Sequence, residues 1–348
     1  MICAKSKTSE TATSAIAQSS FNRGESMHRE VLVAALIAQL LTGFASAQER
    51  ANRGPYDPAV EDLTTRSPPA PKLGEPPMLG IHWSRDFAGG ILHAARRRSP
   101  NMTYHGGKIL VTAVSKGIFW GPSWANSSFV GDKISGLDSW YTGHSNSNYA
   151  KTVDEYTGTN GTVGPTLTHQ GHIIDTSTAT GGSSTSAILA EVCNQITAGN
   201  IVPDLSGNGY YPVYVDVKRG SAGYCAWHSA GTCSGIPVQF AFFFNLDGDP
   251  GCDPQDTQTG HSQGLAALAN VTAHEISEAR SDPANPGAWY DSSGEENGDK
   301  CAWTFNVPVV SFPDGNIWKL QGEWSNAAYT AGTGYPNSSG QKGCLDGH

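Results

Sequence analysis

The chain has 348 residues, of which 38% are hydrophobic and 15% charged, and it contains 41 Gly and 20 Pro. This composition excludes a coiled coil, a long helical bundle and a polytopic membrane protein. The formal net charge of −9 argues against a sequence-independent nucleic-acid binder, which needs a basic face, so we expect no nucleic-acid partner.

The N-terminal region has the pattern of a targeting segment. Residues 27–47 combine a short charged start, an apolar run from Val31 to Leu41 and an Ala45-Ser46-Ala47 site, which are the parts of a secretory signal peptide. The apolar run is too short for a spanning helix, which needs about 20 residues, although a membrane anchor is the alternative. Residues 1–26 are interpreted as an upstream extension. We predict a secreted protein, extracellular or periplasmic, without stable membrane insertion after cleavage.

Residues 48–101 are rich in proline. Such a segment cannot recover the entropy lost on ordering its backbone, so it is predicted to be a disordered linker. The run Arg96–Arg98 is interpreted as a solvated part of this linker, with a processing site or a binding patch as alternatives. The folded, secreted domain is predicted to cover residues 102–348.

Cleavage after Ala47 removes Cys3 and leaves six cysteines. An even number in an exported chain favours disulfide bonds, but the connectivity stays open. No C-x₂-C pair occurs, so a cysteine-based zinc site is not predicted. The disulfide candidates are Cys193, Cys225, Cys233, Cys252, Cys301 and Cys344.

Local patterns predict several regular elements in the folded part. Apolar runs and helical stripes predict strands over 108–120, 211–217 and 236–244, and helices over 186–198 and 263–280. The second helix should end before Pro283, because the residue before a proline is pushed out of helical geometry. The predicted fold is a single α+β domain with a mixed β-sheet packed by a few helices, rich in loops and stabilised by disulfides.

The second predicted helix carries the clearest chemical pattern. His274 and Glu278 are four residues apart, so their side chains project from the same helix face. In H-E-x-x-H metallohydrolases this spacing presents two zinc ligands, and the first Glu is the general base. Here the second His is a Glu, which can bind zinc but favours oxygen-loving cations more. We predict His274 and Glu278 as ligands of Zn²⁺ or another divalent cation, with Glu275 as the catalytic base.

Acidic residues downstream can complete the site. The turn-rich stretch after Pro283 can fold back over the helix, and a disulfide at Cys301 can hold it there. Glu296 or Asp299 is therefore the predicted third ligand, and Glu275 is predicted to polarise a bound water.

Two more acids, Asp282 and Asp291, are predicted to lie just outside the ligands. The structural alternative is a buried helix in which His274 and Glu278 bond each other and neighbouring loops, while Arg280 pairs with Asp282. On the residues alone the two interpretations are evenly balanced.

Two weaker signals are interpreted as structural. The loop from Asn245 to Asp253 has oxygen donors that Ca²⁺ could use, but it lacks the terminal Glu of an EF-hand and its Asp, Gly and Pro residues also suit turns. Three histidines elsewhere could approach the helix in three dimensions, but each alone is interpreted as a structural or surface residue: His105, His228 and His261.

The residues around the second helix resemble a known family. His274-Glu-Ile-Ser-Glu-Ala, followed by Ser-Asp-Pro, Ala-Trp-Tyr and Glu-Asn-Gly-Asp-Lys-Cys301, is similar to the H-E-L-A-E … A-W-Y … E-I-x-D-x-C block of the phosphate-induced, EXORDIUM-like family. That family comprises secreted plant cell-wall proteins and a related microbial branch. Weaker similarities spread over residues 102–305. Asn297 stands where the family has an apolar residue, and the Glu before Glu296 doubles the acid, so the ligand acid stays open.

The resemblance implies a secreted, disulfide-bearing domain linked to growth and the cell wall, without a settled enzymatic activity. Two functions are therefore predicted. The preferred one is a secreted metal-dependent hydrolase of the zincin-like peptidase type, acting on an extracellular peptide. The alternative is a non-catalytic extracellular or cell-wall-associated protein that binds a cell-wall glycan, for which the many Trp and Tyr residues would be suitable.

Overall fold

A computed structural model describes residues 75–87, 100–284 and 286–348. The strands are β1 (Leu79–Trp83), β2 (Thr103–Tyr104), β3 (Ala113–Trp120), β4 (Thr157–Gly158), β5 (Gly161–Thr162), β6 (Leu167–Asp175), β7 (Gly209–Lys218), β8 (Tyr224–Cys233), β9 (Ile236–Asn245), β10 (Trp289–Tyr290), β11 (Val310–Ser311), β12 (Ile317–Trp318), β13 (Glu323–Trp324), β14 (Tyr335–Pro336) and β15 (Lys342–Leu345). The helices are α1 (Ser127–Val130), α2 (Lys133–His144), α3 (Thr185–Thr197), α4 (Gln263–Ser281), α5 (Asn297–Lys300) and α6 (Asn326–Ala331).

Six strands form one mixed sheet in the order β1-β8-β9-β7-β3-β6. Strands β9, β7, β3 and β6 run parallel to one another. At the other edge, β8 runs antiparallel to β9, and β1 runs antiparallel to β8. The central strands β7 and β9 are buried along most of their length, as near-continuous apolar runs in parallel strands usually are. The predicted α+β class with a mixed sheet is confirmed.

Strand β1 differs from the sequence prediction. It pairs with β8, with Ile81 opposite Trp227, and its three central residues are buried. The prediction of a disordered linker is therefore wrong for residues 79–83. Many prolines surround this short apolar run, so the local composition indicated a linker. The strand with which it pairs, β8, lies far along the chain. Residues 48–74, the predicted signal peptide and residues 1–26 lie outside the described residues.

Helix α4 lies at the centre of the packing. Eighteen of its 19 residues, from Gly264 to Ser281, are buried, and many of them are alanines that allow close approach of β1, β8 and β9. Ser262 caps the helix by accepting a hydrogen bond from Leu265 N at 3.1 Å. The observed bounds match the predicted helix to within a residue. Because the helix is enclosed, every polar side chain that it carries needs a buried partner.

Three disulfides join the six candidate cysteines, and they pair Cys193–Cys233, Cys225–Cys252 and Cys301–Cys344. The last of these ties the end of α5 to β15. Disulfides persist in oxidising compartments, in line with the predicted export. Within the described ranges, no helix is long and apolar enough to cross a membrane.

Candidate metal centre

The predicted acids meet because α5 docks on α4. Glu296 precedes α5 and Asp299 lies on its first turn, and Glu296 N donates a hydrogen bond to Asp299 Oδ2 at 3.1 Å. Asp299 N in turn donates to Glu278 Oε1 on α4 at 2.9 Å. A capping interaction thus shapes the short helix, and a backbone hydrogen bond attaches it to the long one.

A first group of ligand atoms surrounds His274 Nε2. This nitrogen lies 3.1 Å from Glu278 Oε1 and 3.7 Å from Asp299 Oδ1, and the three ligand atoms are all within 4.8 Å of one another. Ligands about 2.0–2.1 Å from a tetrahedral cation lie about 3.4 Å apart, so the spacing suits a shared cation. His274 Nε2 makes no hydrogen bond to any described residue.

A second group surrounds His228 on β8. Its Nε2 lies 3.4 Å from Glu296 Oε2 and 3.9 Å from Glu278 Oε2. It also forms a group with Glu275 and Glu278 whose ligand atoms are within 4.8 Å of one another. Each of these four side chains has a buried polar atom without a hydrogen bond to the described part of the chain. Buried polar atoms are nearly always bonded, so these side chains could hold a cation.

The structure thus brings together five of the predicted site residues and His228, which was interpreted from the sequence as a structural or surface residue. We call this set the buried cluster, and its members are His228, His274, Glu275, Glu278, Glu296 and Asp299. Their functional roles stay predictions.

The two acids predicted to lie just outside the ligands have different partners. Asp282 ends α4 and accepts a hydrogen bond from Ala288 N, while Asp291 pairs with Lys300 Nζ at 2.7 Å. Arg280 donates to backbone carbonyl groups on neighbouring loops instead of pairing with Asp282. Besides burial, the charge of Asp282 contributes to the raised pKa of Glu296, and that of Asp291 contributes to the raised pKa of Asp299, although Asp291 is also paired with Lys300.

The interpretation of His228 as an unrelated structural residue is the clearest omission of the sequence analysis. The available signal was a histidine inside the apolar run of a strand, in a segment that resembles the EXORDIUM-like family. The other two weighed histidines do stack elsewhere, His105 on Tyr290 and His261 on Trp318. Sequence patterns therefore did not separate the relevant histidine from the others.

Gln321 was also missed, and it governs the orientation of His274. Its amide nitrogen donates to His274 Nδ1 at 3.1 Å and to Gly298 O at 2.8 Å, and its oxygen lies 3.0 Å from His82 Nε2. An amide nitrogen can only donate, so in this arrangement the proton of neutral His274 is on Nε2. Cation binding at Nε2 requires that proton to leave and the amide to turn, so that its oxygen accepts from Nδ1–H.

Strand β1 and α5 cover the cluster with glycines. Gly80 N donates to Glu296 Oε1 at 3.0 Å, and a Cβ at Gly80 would lie only 1.9 Å from Glu278 Oε2 and 2.6 Å from His228 Nε2. A Cβ at Gly298 would lie 2.7 Å from His274 Nδ1. Because glycine has no Cβ, the backbone at both positions lies closer to the ligands than it could with any other residue.

Burial controls the charge of the cluster. It raises the pKa of Glu278 to about 7, and, followed by the charges of neighbouring acids, it raises the pKa of the other three carboxylates. Burial lowers the pKa of His274 to about 3 and that of His228 to about 4. The imidazoles are therefore neutral at neutral pH, as cation ligands must be.

A second acid-rich region, residues 245–253, is named the acidic loop. Asp249 accepts hydrogen bonds from Arg219 at 2.6 and 2.9 Å, and Asp247 pairs with Lys133. Asn245 Oδ1 accepts from Asp247 N at 3.0 Å, which is a turn interaction. The loop is consistent with its interpretation as a turn.

Comparison of the chain with known protein families, curated proteins and solved structures finds no match. The resemblance to the EXORDIUM-like family therefore stays a prediction, and what the site can do has to be judged from its own residues and distances.

Proposed function

We propose that the protein is a secreted metal-dependent hydrolase with zincin-like peptidase chemistry. His274, Glu278 and Asp299 would hold Zn²⁺ or a similar divalent cation. The observation that supports this most is that their three ligand atoms lie within 4.8 Å of one another. Glu275, whose carboxylate has no hydrogen bond to a described residue, belongs to a second group that shares Glu278.

The residues suit hydrolysis by an activated water. A divalent cation, when bound, supplies Lewis acidity and lowers the pKa of bound water. Glu275 follows His274 directly on α4, and neither of its oxygens hydrogen-bonds to a described residue. Burial, followed by the charge of Glu278, raises the pKa of Glu275, which suits a base that must hold a proton during the reaction.

Access is the main requirement that this function adds. The side chains of His274, Glu275 and Glu278 have no exposed surface, and Gly80 on β1 lies directly against the cluster. Separation of β1 from β8 would open this side of the cluster to a substrate. We therefore expect activity to depend on the freedom of this edge strand.

The test is peptide hydrolysis by the full chain, prepared without chelator and assayed on a fluorogenic peptide library with and without added Zn²⁺. We expect metal-dependent cleavage that falls about 10²–10⁴-fold in Glu275→Gln, the usual contribution of a general base. That variant should keep its bound metal, and Asp249→Asn in the acidic loop should retain full activity. Cleavage that persists in Glu275→Gln would contradict the base role, and metal-loaded protein that cleaves no peptide would contradict the hydrolase.

The burial of every member of the cluster except the partly exposed Asp299 favours a second candidate, a non-catalytic extracellular or cell-wall-associated protein in which the cation is structural. The resemblance to the EXORDIUM-like family supports the same candidate. Here Glu275→Gln would leave the function unchanged, and binding to a glycan array would be the relevant activity. Peptide hydrolysis without any glycan binding would exclude this candidate.

A further inference from the structure

We propose that the buried cluster holds two divalent cations, bridged by Glu278. This proposal rests on the metal site of the proposed function and adds a second position to it. The first position has His274, Glu278 and Asp299 as ligands. The second has His228, Glu278 and Glu296 as ligands.

The two oxygens of Glu278 have different neighbours. Oε1 lies 3.1 Å from His274 Nε2, while Oε2 lies 3.9 Å from His228 Nε2. Each imidazole has one further carboxylate, Asp299 for His274 and Glu296 for His228. A carboxylate with one imidazole–carboxylate pair beside each oxygen has the arrangement of a bridging ligand.

Backbone hydrogen bonds orient the two flanking carboxylates. Glu296 Oε1 accepts from Gly80 N, which leaves Oε2 toward His228. Asp299 Oδ2 accepts from Glu296 N, which leaves Oδ1 toward His274. In each acid one oxygen is fixed by the chain and the other faces an imidazole, as expected when supporting interactions orient ligands.

The balance of charge also favours two cations. The cluster has four carboxylates, and within residues 75–87, 100–284 and 286–348 no Lys or Arg forms an ion pair with any of them. One divalent cation would leave two buried carboxyl groups that must either take up a proton or remain as buried charges, at a cost of several kcal/mol per ion. Two divalent cations neutralise all four. Glu275 contributes the fourth carboxylate and groups with His228 and Glu278, so it lies beside the second position.

One imidazole and two carboxylates at each position form a mixed nitrogen and oxygen ligand set. Imidazole suits zinc and carboxylates suit manganese, so both are suitable probes. Two-metal hydrolases hold their ions about 3.5–4 Å apart, and a shared carboxylate brings them that close.

The test is metal stoichiometry of the full chain, produced with added Zn²⁺ and measured by elemental analysis after removal of loosely bound ions. We expect about two zinc ions per chain in the unchanged protein, about one in His274→Ala and about one in His228→Ala. Glu278→Ala should bind none tightly. His144→Ala is the matched control, because His144 is equally buried but lies outside the cluster, and it should retain both ions.

Manganese gives a second measurement, and its first result, on the unchanged protein, does not depend on a variant folding. The protein loaded with Mn²⁺ should show the electron paramagnetic resonance spectrum of a spin-coupled pair. His228→Ala should convert this to the spectrum of an isolated ion.

One ion per chain in the unchanged protein, still present in His228→Ala, would overturn the two-cation proposal and leave the hydrolase intact. Two ions per chain without any hydrolysis would overturn the hydrolase and leave the two-cation proposal intact. An uncoupled manganese spectrum at full loading would also overturn the bridge.

Discussion

The buried cluster and the acidic loop are both rich in acids, yet they differ in how those acids are paired. In the loop, Asp249 and Asp247 receive Arg219 and Lys133 from neighbouring elements. In the buried cluster, no Lys or Arg of the described residues forms an ion pair with an acid. Within the described residues, the chain thus provides basic side chains for these acids of the acidic loop and none for the acids of the buried cluster.

The difference shows what indicates a cation site. The number of acids does not, because both regions have several. The indication is a set of buried ligand atoms without hydrogen bonds, such as His228 Nε2 and Glu278 Oε2. Changes that affect one region and spare the other can therefore test this distinction.

The largest effect is expected from pH on metal-free protein. Burial raises the pKa of folded Glu278 from 4.5 to about 7, so its protonated form stabilises the fold. This stability is fully present below about pH 4.5 and is lost as the pH rises through about 7, a change on the order of 3 kcal/mol. It is measured as the difference in thermal unfolding between chelated unchanged protein and chelated Glu278→Gln at each pH from 4.5 to 8, because the other buried carboxyl groups and both imidazoles also contribute to the profile.

Two controls accompany that titration. Zn²⁺ should remove the loss that Glu278 contributes, because the cation replaces the proton. In chelated Glu278→Gln that contribution should be missing, while those of the other carboxyl groups and the imidazoles remain. A profile of the unchanged protein that is identical with and without Zn²⁺ would contradict the cation site.

The next effect is expected from Gly80→Ala. The new Cβ would lie 1.9 Å from Glu278 Oε2, so β1 or the ligands must move, at about 1–3 kcal/mol of unfolding free energy. Bound metal should fall in parallel. Gly181→Ala is the matched control, because no atom lies within 4 Å of its Cβ position. Equal denaturant midpoints for the two variants would show that β1 does not approach the cluster as described.

A smaller effect is expected from Gln321→Leu, which removes the amide that orients His274. Loss of such a partner typically weakens metal affinity 10–100-fold, or about 1.4–2.7 kcal/mol. Competition with a chromogenic chelator measures the affinity. Gln263→Leu is the control, because Gln263 at the start of α4 accepts a hydrogen bond from Gly248 N of the acidic loop and lies outside the buried cluster. Its metal affinity should equal that of the unchanged protein.

The smallest effect is expected from Asp249→Asn. It weakens a partly buried ion pair with Arg219, and such pairs contribute about 1 kcal/mol or less when they are near the surface. Metal content should not change. A loss of bound zinc in this variant would make the acidic loop, and not the buried cluster, the cation site.

The sequence predicted those parts of the molecule that depend on local pattern. The run rich in Ala and Leu and the stop before Pro283 predicted α4, and the spacing of His274 and Glu278 placed both on one face. The acids of α5 were also within reach, because they follow the helix after a short turn. These features need no knowledge of distant residues.

The rest depends on contacts between distant segments. β1 pairs with β8, and Gly80 meets Glu296 across 216 positions of the chain. Gln321 approaches His274 from near the C-terminal end. Composition and periodicity describe neighbours along the chain, so they do not reveal which strand covers the site or which histidine faces it.

The position of β1 has a consequence for the speed of metal exchange. Gly80 lies against Glu278 and His228, so an ion that leaves on this side of the cluster can do so only while the strand is detached. Exchange would then follow the opening rate and not the affinity. A chelator added to folded protein would act slowly and with hysteresis, and an ion acquired during folding would remain trapped long after the surrounding solution had changed.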